Sequence, residues 1–101
     1  MKTTINPDTI VKINENVVTL IQRDICEPDK IHYIYLDKKD IKLLIASVSV
    51  IGKTRINDSI MSKVTEKGTA SIMQKDQLEG IIDIVILNAS EVADMVAAIA
   101  A

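Results

Sequence analysis

The residues able to do chemistry in this 101-residue chain are few and scattered. Gly52-Lys53-Thr54 follows an apolar run, as the Gly-Lys-Thr of a phosphate-binding loop does. Such a loop needs a permissive residue five positions earlier, so that its amides can turn toward phosphate. Ser47 stands there, and Val48, Val50 and Ile51 fill the loop with branched side chains suited to extended backbone. The spacing predicts a strand-end turn and no nucleotide site. Cys26 is the sole cysteine and His32 the sole histidine, which excludes a disulfide staple, a zinc ribbon and a CxxC redox site. Cys26 sits beside Asp24 and Glu27, whose charge opposes formation of a thiolate nucleophile. His32 can serve as a general base only with a carboxylate, for which Asp37 and Glu27 are the candidates.

The acids are otherwise dispersed, and no pair has the spacing of two catalytic carboxylates or of a calcium loop. Asp58-Ser59-Ile60 is similar to the attachment-serine pattern of acyl carrier proteins. Lys63 and Lys67 stand where those carriers are acidic, however, so helix capping is the expected role of these side chains. Lys38, Lys39 and Lys42 alternate with Asp37 and Asp40, which cancels most of their field. With a net charge of −2, no nucleic-acid or membrane partner is expected. No cofactor and no metal site is indicated. The beginning of the chain lacks an apolar targeting segment, and no uncharged apolar run approaches the roughly 18 residues of a membrane span. A reducing, cytoplasmic location is therefore expected.

These residues must be positioned by one small core. The chain is 48% hydrophobic and 26% charged, with two Tyr and neither Phe nor Trp, so a single domain over residues 1–101 packs by the shape of Ile and Val. On a helical wheel, Ile10, Val11, Ile13, Val17, Val18, Leu20, Ile21 and Ile25 share one half, and Asn6-Pro7-Asp8 supplies a cap; residues 7–25 are read as a helix. A hairpin turning at Asn14-Glu15-Asn16 is the rival reading, favoured by the β-branched content. Residues 31–36 form a strand, 41–51 a second strand bent near Ala46; from Asn57 a helix capped by Asn57 or Asp58 runs to Gly68, 69–74 is a weak strand, and 81–87 a strand with Ile82, Ile84 and Ile86 inward. Asn88-Ala89-Ser90 caps a terminal helix. The expected fold is α+β, an antiparallel sheet of about four strands covered by helices, in the order α-β-β-α-β-β-α. No internal repeat is discerned. This order resembles, in topology alone, the roadblock and type III secretion chaperone architectures, which implies a binding protein.

Two features point to association. Ile31, Tyr33 and Tyr35 share one face of a strand whose other face, Ile34 and Leu36, is also apolar; tyrosine there is an interface anchor. The terminal helix has no polar residue after Asp94, leaving Met95, Val96 and Ile99 among alanines. The expected function is a non-catalytic protein-binding or self-assembly module, a homodimer or a protein-partner complex, acting through Ile31, Tyr33, Tyr35, Met95, Val96 and Ile99. The alternative is a small enzyme using His32 with a nearby carboxylate.

Overall fold

A computed structural model describes residues 1–100. Its elements run β1 (Lys2–Asn6), β2 (Thr9–Ile13), β3 (Val17–Arg23), β4 (Ile31–Asp37), a 3-10 turn (Lys38–Asp40), α1 (Ile41–Ser47), β5 (Gly52–Arg55), β6 (Ile60–Val64), β7 (Ala70–Lys75), β8 (Ile82–Leu87) and α2 (Ala89–Ala100). The strands form two antiparallel four-stranded meanders, β1-β2-β3-β4 and β5-β6-β7-β8. This overturns the expected order α-β-β-α-β-β-α and its single sheet, and the resemblance to roadblock proteins and secretion chaperones falls with that order. No helix among the described residues is long and apolar enough to cross a membrane.

Several segments depart from expectation. Residues 7–25 are the hairpin β2–β3, paired from Thr9↔Gln22 to Ile13↔Val18. Val11, Val18 and Leu20 are buried on its inner face while Ile10 and Ile21 lie half-buried on the outer one, and apolar residues on both faces imitate a helical stripe. Branched side chains on a pleated, partly buried surface then favour the ladder. Residues 41–47 are helical instead of extended, because only Leu44 and Ser47 of that stretch need burial and they lie on one helical face. Residues 60–64 are strand β6, with Ile60, Ser62 and Val64 inward by alternation. In β8 the expected facing is reversed: Val85 and Leu87 are buried, whereas Ile82 is exposed and Ile84 and Ile86 are half-buried. Strand β8 places apolar residues on both faces, and the face that carries Val85 and Leu87 joins the buried cluster with Ile34 and Leu36 of β4.

The element order is four strands and a helix, twice. Register makes the halves equivalent. The inner row Val11–Leu20–Ile34 matches Ser62–Ile72–Val85, and the outer row Thr4–Ile10–Ile21–Tyr33 matches Arg55–Met61–Met73–Ile84. Aligned in this way, the sequence does contain a repeat: Lys2-Thr3-Thr4-Ile5-Asn6 against Lys53-Thr54-Arg55-Ile56-Asn57, and Leu20-Ile21-Gln22-Arg23-Asp24 against Ile72-Met73-Gln74-Lys75-Asp76. The second half has one more residue in its β6–β7 turn and one fewer before β8, which breaks a constant spacing. The added residue accompanies Gly68, whose φ of +85° closes the turn and whose missing Cβ would lie 2.9 Å from the Ala89 Cβ.

The halves interlock through their helices. α2 lies against β1 and β2 of the first sheet, and α1 against β6 of the second. Asn6 Nδ2 donates to Glu91 Oε2 at 2.6 Å, and its equivalent Asn57 donates to Asp40 Oδ2 at 3.1 Å. Asn88 and Glu91 form a reciprocal capping box at the start of α2. One buried cluster, including Leu20, Ile34, Leu44, Ile72, Val85 and Met95, runs through both halves.

Candidate functional site

The two sheets meet where β4 and β8 run close together, and their edge peptide groups are satisfied by side chains of the opposite half. Gln22, on β3, accepts from the Ile86 N–H at 2.8 Å and donates to the Ile86 carbonyl at 2.8 Å and to Thr9 Oγ1 at 2.7 Å. Its equivalent on β7, Gln74, accepts from the Tyr35 N–H at 3.0 Å and donates to the Tyr35 carbonyl at 3.4 Å. A primary amide reproduces the donor–acceptor pair of a neighbouring strand, so two glutamines close the seam where a backbone ladder is absent.

His32 is the third member of the seam. It points inward from β4, is 3% exposed, and places Nε2 2.7 Å from Asp24 Oδ2. Nδ1 lies 3.0 Å from Asp83 Oδ1 and 3.3 Å from the N–H of Ile84. A protonated ring can donate to both carboxylates, and a neutral ring can donate to Asp24 while accepting from Ile84. Both nitrogens therefore have protein partners in either state, which leaves neither free for a substrate proton. Asp24 is lowered from 3.8 to about 2, first by the His32 hydrogen bond and then by the N–H groups of Glu27 and Cys26. The expected partners of His32 stand elsewhere: Glu27 is in the turn that Asp24 caps, and Asp37 closes the far end of β4.

Two clefts flank the seam, and the repeat relates them. One, of 210 Å³, is lined by Gln22, Asp24, Ile25, His32, Ile84 and Ile86, with Cys26 at its wall. The other, of 430 Å³, is lined by the equivalent Gln74, Asp76, Gln77, Asp83, Tyr33 and Tyr35, together with Ser59 and Lys75. The chemistry has diverged: an isoleucine-walled cleft around an imidazole, and one walled by tyrosines and carboxylates. No family model, curated protein or solved structure matches the chain.

Of the residues singled out in the sequence, Ile31, Tyr33 and Tyr35 form an exposed file along β4, at 45%, 41% and 54% exposure. The tyrosine rings stack, with centroids 6.3 Å apart and planes 8° from parallel. Register extends the file sideways to Ile21 and Ile10, and Lys2, Lys12 and Arg23 stand exposed around it. An apolar centre with a charged rim has the anatomy of a protein interface. Met95, in contrast, is fully buried in the core, and Val96 and Ile99 pack half-buried against it. The structure thus brings the three β4 residues together and separates them from the three on α2. Gly52-Lys53-Thr54 is strand β5, Ser59 lies in a turn closed by Asn57, and Cys26 is exposed in the β3–β4 turn. Among the described residues no group of three or more His, Cys, Asp or Glu is disposed to hold a metal.

Sequence reasoning missed Gln22, Gln74, Asp24, Asp76 and Asp83. The signal for four of them was present in the paired segments Gln22-Arg23-Asp24 and Gln74-Lys75-Asp76. Asp83 has no such mark, because its equivalent is His32.

Proposed function

We propose that the chain is a non-catalytic protein-binding or self-assembly module that docks through the outer face of β4. The observation that carries this reading is the exposed Tyr33–Tyr35 stack, continuous with Ile31, Ile21 and Ile10 across the sheet and bordered by the larger cleft. Stacked tyrosines offer a large, rigid contact area that costs little side-chain entropy to fix, which suits an interface anchor. α2 adds little to such a surface, since its apolar side faces the core. The enzymatic alternative is weakened by the geometry of His32, whose nitrogens are both engaged within the protein.

Light scattering across a concentration series tests self-assembly. A mass that rises toward twice that of the protomer, and stays at one protomer in a Tyr33→Glu, Tyr35→Glu variant, supports it. A photocrosslinking residue in place of Tyr35, activated in the native cell, tests the partner form. A chain that stays monomeric and also yields no specific crosslink sinks the proposal.

A further inference from the structure

The repeat supplies an internal comparison for the larger cleft. In the first half, Asp24 Oδ1 accepts from the N–H groups of Cys26 and Glu27 at 2.8 and 2.9 Å, and Oδ2 takes the His32 ring nitrogen at 2.7 Å. In the second half, Asp76 Oδ1 accepts from Leu78 and Glu79 at 2.9 and 3.2 Å, so the turn is the same. The position equivalent to His32, however, is Asp83, which carries no donor. Among the described residues Asp76 Oδ2 has no donor partner, and Lys75 forms no ion pair with Asp76 or Asp83 although it lines the same cleft. The cleft thus presents the carboxylate of the duplicated site, with an aspartate where the duplicate has its imidazole. Its other wall is the tyrosine pair in place of Ile84 and Ile86.

We propose that this cleft takes the guanidinium of an arginine side chain from a protein partner, which supplies to Asp76 the donor that His32 supplies to Asp24. Three features select that chemistry. A guanidinium is planar and stacks on a tyrosine face, and the stem of the side chain covers the ring beside it. Its parallel N–H groups suit a carboxylate better than an ammonium does. Negative charge lies on the cleft side of the tyrosines: Asp76 stands there beside Asp83, which His32 already engages, and Lys75. Asp37, Asp40 and Asp58 outnumber Lys39 in the groove that continues past Tyr35, whereas Lys2, Lys12 and Arg23 lie around the apolar file of the sheet. The volume of 430 Å³ is ample for one such side chain.

The inference rests on the reading of β4 as a protein-docking face. Its test uses the full-length, isotope-labelled chain titrated with the peptide acetyl-Gly-Gly-Arg-Gly-Gly-amide, and with the same peptide carrying citrulline for arginine. Amide signals of Tyr33, Tyr35, Asp76, Gln77 and Leu78 are expected to shift saturably with the arginine peptide. Affinity should fall by about tenfold with citrulline and by a similar factor in Asp76→Asn, because a charge-assisted bond becomes a neutral one. The Asn side chain keeps the acceptor for Leu78 and Glu79, so the turn survives. Tyr35→Phe should keep most of the affinity and Tyr35→Ala lose it. Equal binding of the two peptides, shifts centred elsewhere, or no saturable shift at millimolar peptide overturns the inference. A specific crosslink at position 35 together with such a failure refutes the arginine alone. Absence of both crosslink and self-association overturns the docking reading itself.

Discussion

The paired glutamines allow a prediction with its own internal control. Gln22 is 6% exposed and serves three groups: the N–H and the carbonyl of Ile86 and the hydroxyl of Thr9, the last 1% exposed. Gln74 serves the N–H and carbonyl of Tyr35 at longer distances and in contact with water. Substitution by leucine preserves much of the volume of each side chain but removes its hydrogen bonds. An unpaired buried polar group costs about 1–3 kcal/mol, whereas one that water can reach costs little. Water in the adjoining 210 Å³ cleft can recover part of the loss at Ile86, so Gln22→Leu is expected to cost about 2–3 kcal/mol. Gln74→Leu should cost under about 1 kcal/mol. In urea, at a slope of roughly 1–3 kcal/mol/M, the first lowers the midpoint by on the order of 1 M and the second by a few tenths. Equal shifts, or a larger shift for Gln74→Leu, would refute the argument that burial of the opposed peptide, and not the amide bridge as such, sets the energy of the seam.

Two further outcomes follow from individual groups. Asp24 titrates at about 2 in the folded chain against 3.8 as a model group, so its folded value lies below the unfolded one. The stability it contributes is therefore complete above about pH 4 and is lost as pH falls toward 2. The difference in urea midpoint between the native chain and Asp24→Asn should shrink over that window, and a constant difference contradicts the assignment. Ser62 is fully buried, and its hydroxyl has no partner among the described residues, at the position equivalent to Val11. Ser62→Ala should raise stability by about 1 kcal/mol on urea unfolding, and a loss would mean that the hydroxyl has a partner such as an ordered water.

Much of the chain was legible from local chemistry. β4, β7, β8 and α2 follow from alternation, from β-branched content and from Asn88 as a cap, all properties of short windows. That Ile31, Tyr33 and Tyr35 share one side of β4 was legible for the same reason, but not that this side is the exposed one, because Ile34 and Leu36 make the other side apolar too. The hairpin β2–β3, turning at Asn14-Glu15-Asn16, was legible only as the rival of a helix, because its outer face is apolar as well and the apolar pairs imitate a helical stripe. The facing of β8 failed similarly: isoleucines occupy one side and Val85 with Leu87 the other, and only the neighbouring half determines which side is covered.

The sequence by itself determined a single His and Cys, the absence of a nucleophilic or metal-ligand motif, and Asn88 as the cap of α2. It also contained the duplication, which unequal loop lengths concealed. The tertiary structure alone decided that Gln22 serves Ile86, that His32 stands between Asp24 and Asp83, and that Met95 is core while Tyr35 is surface. Those relations join residues far apart in the chain. They are fixed by how two half-sheets share one core, which no short stretch of residues encodes.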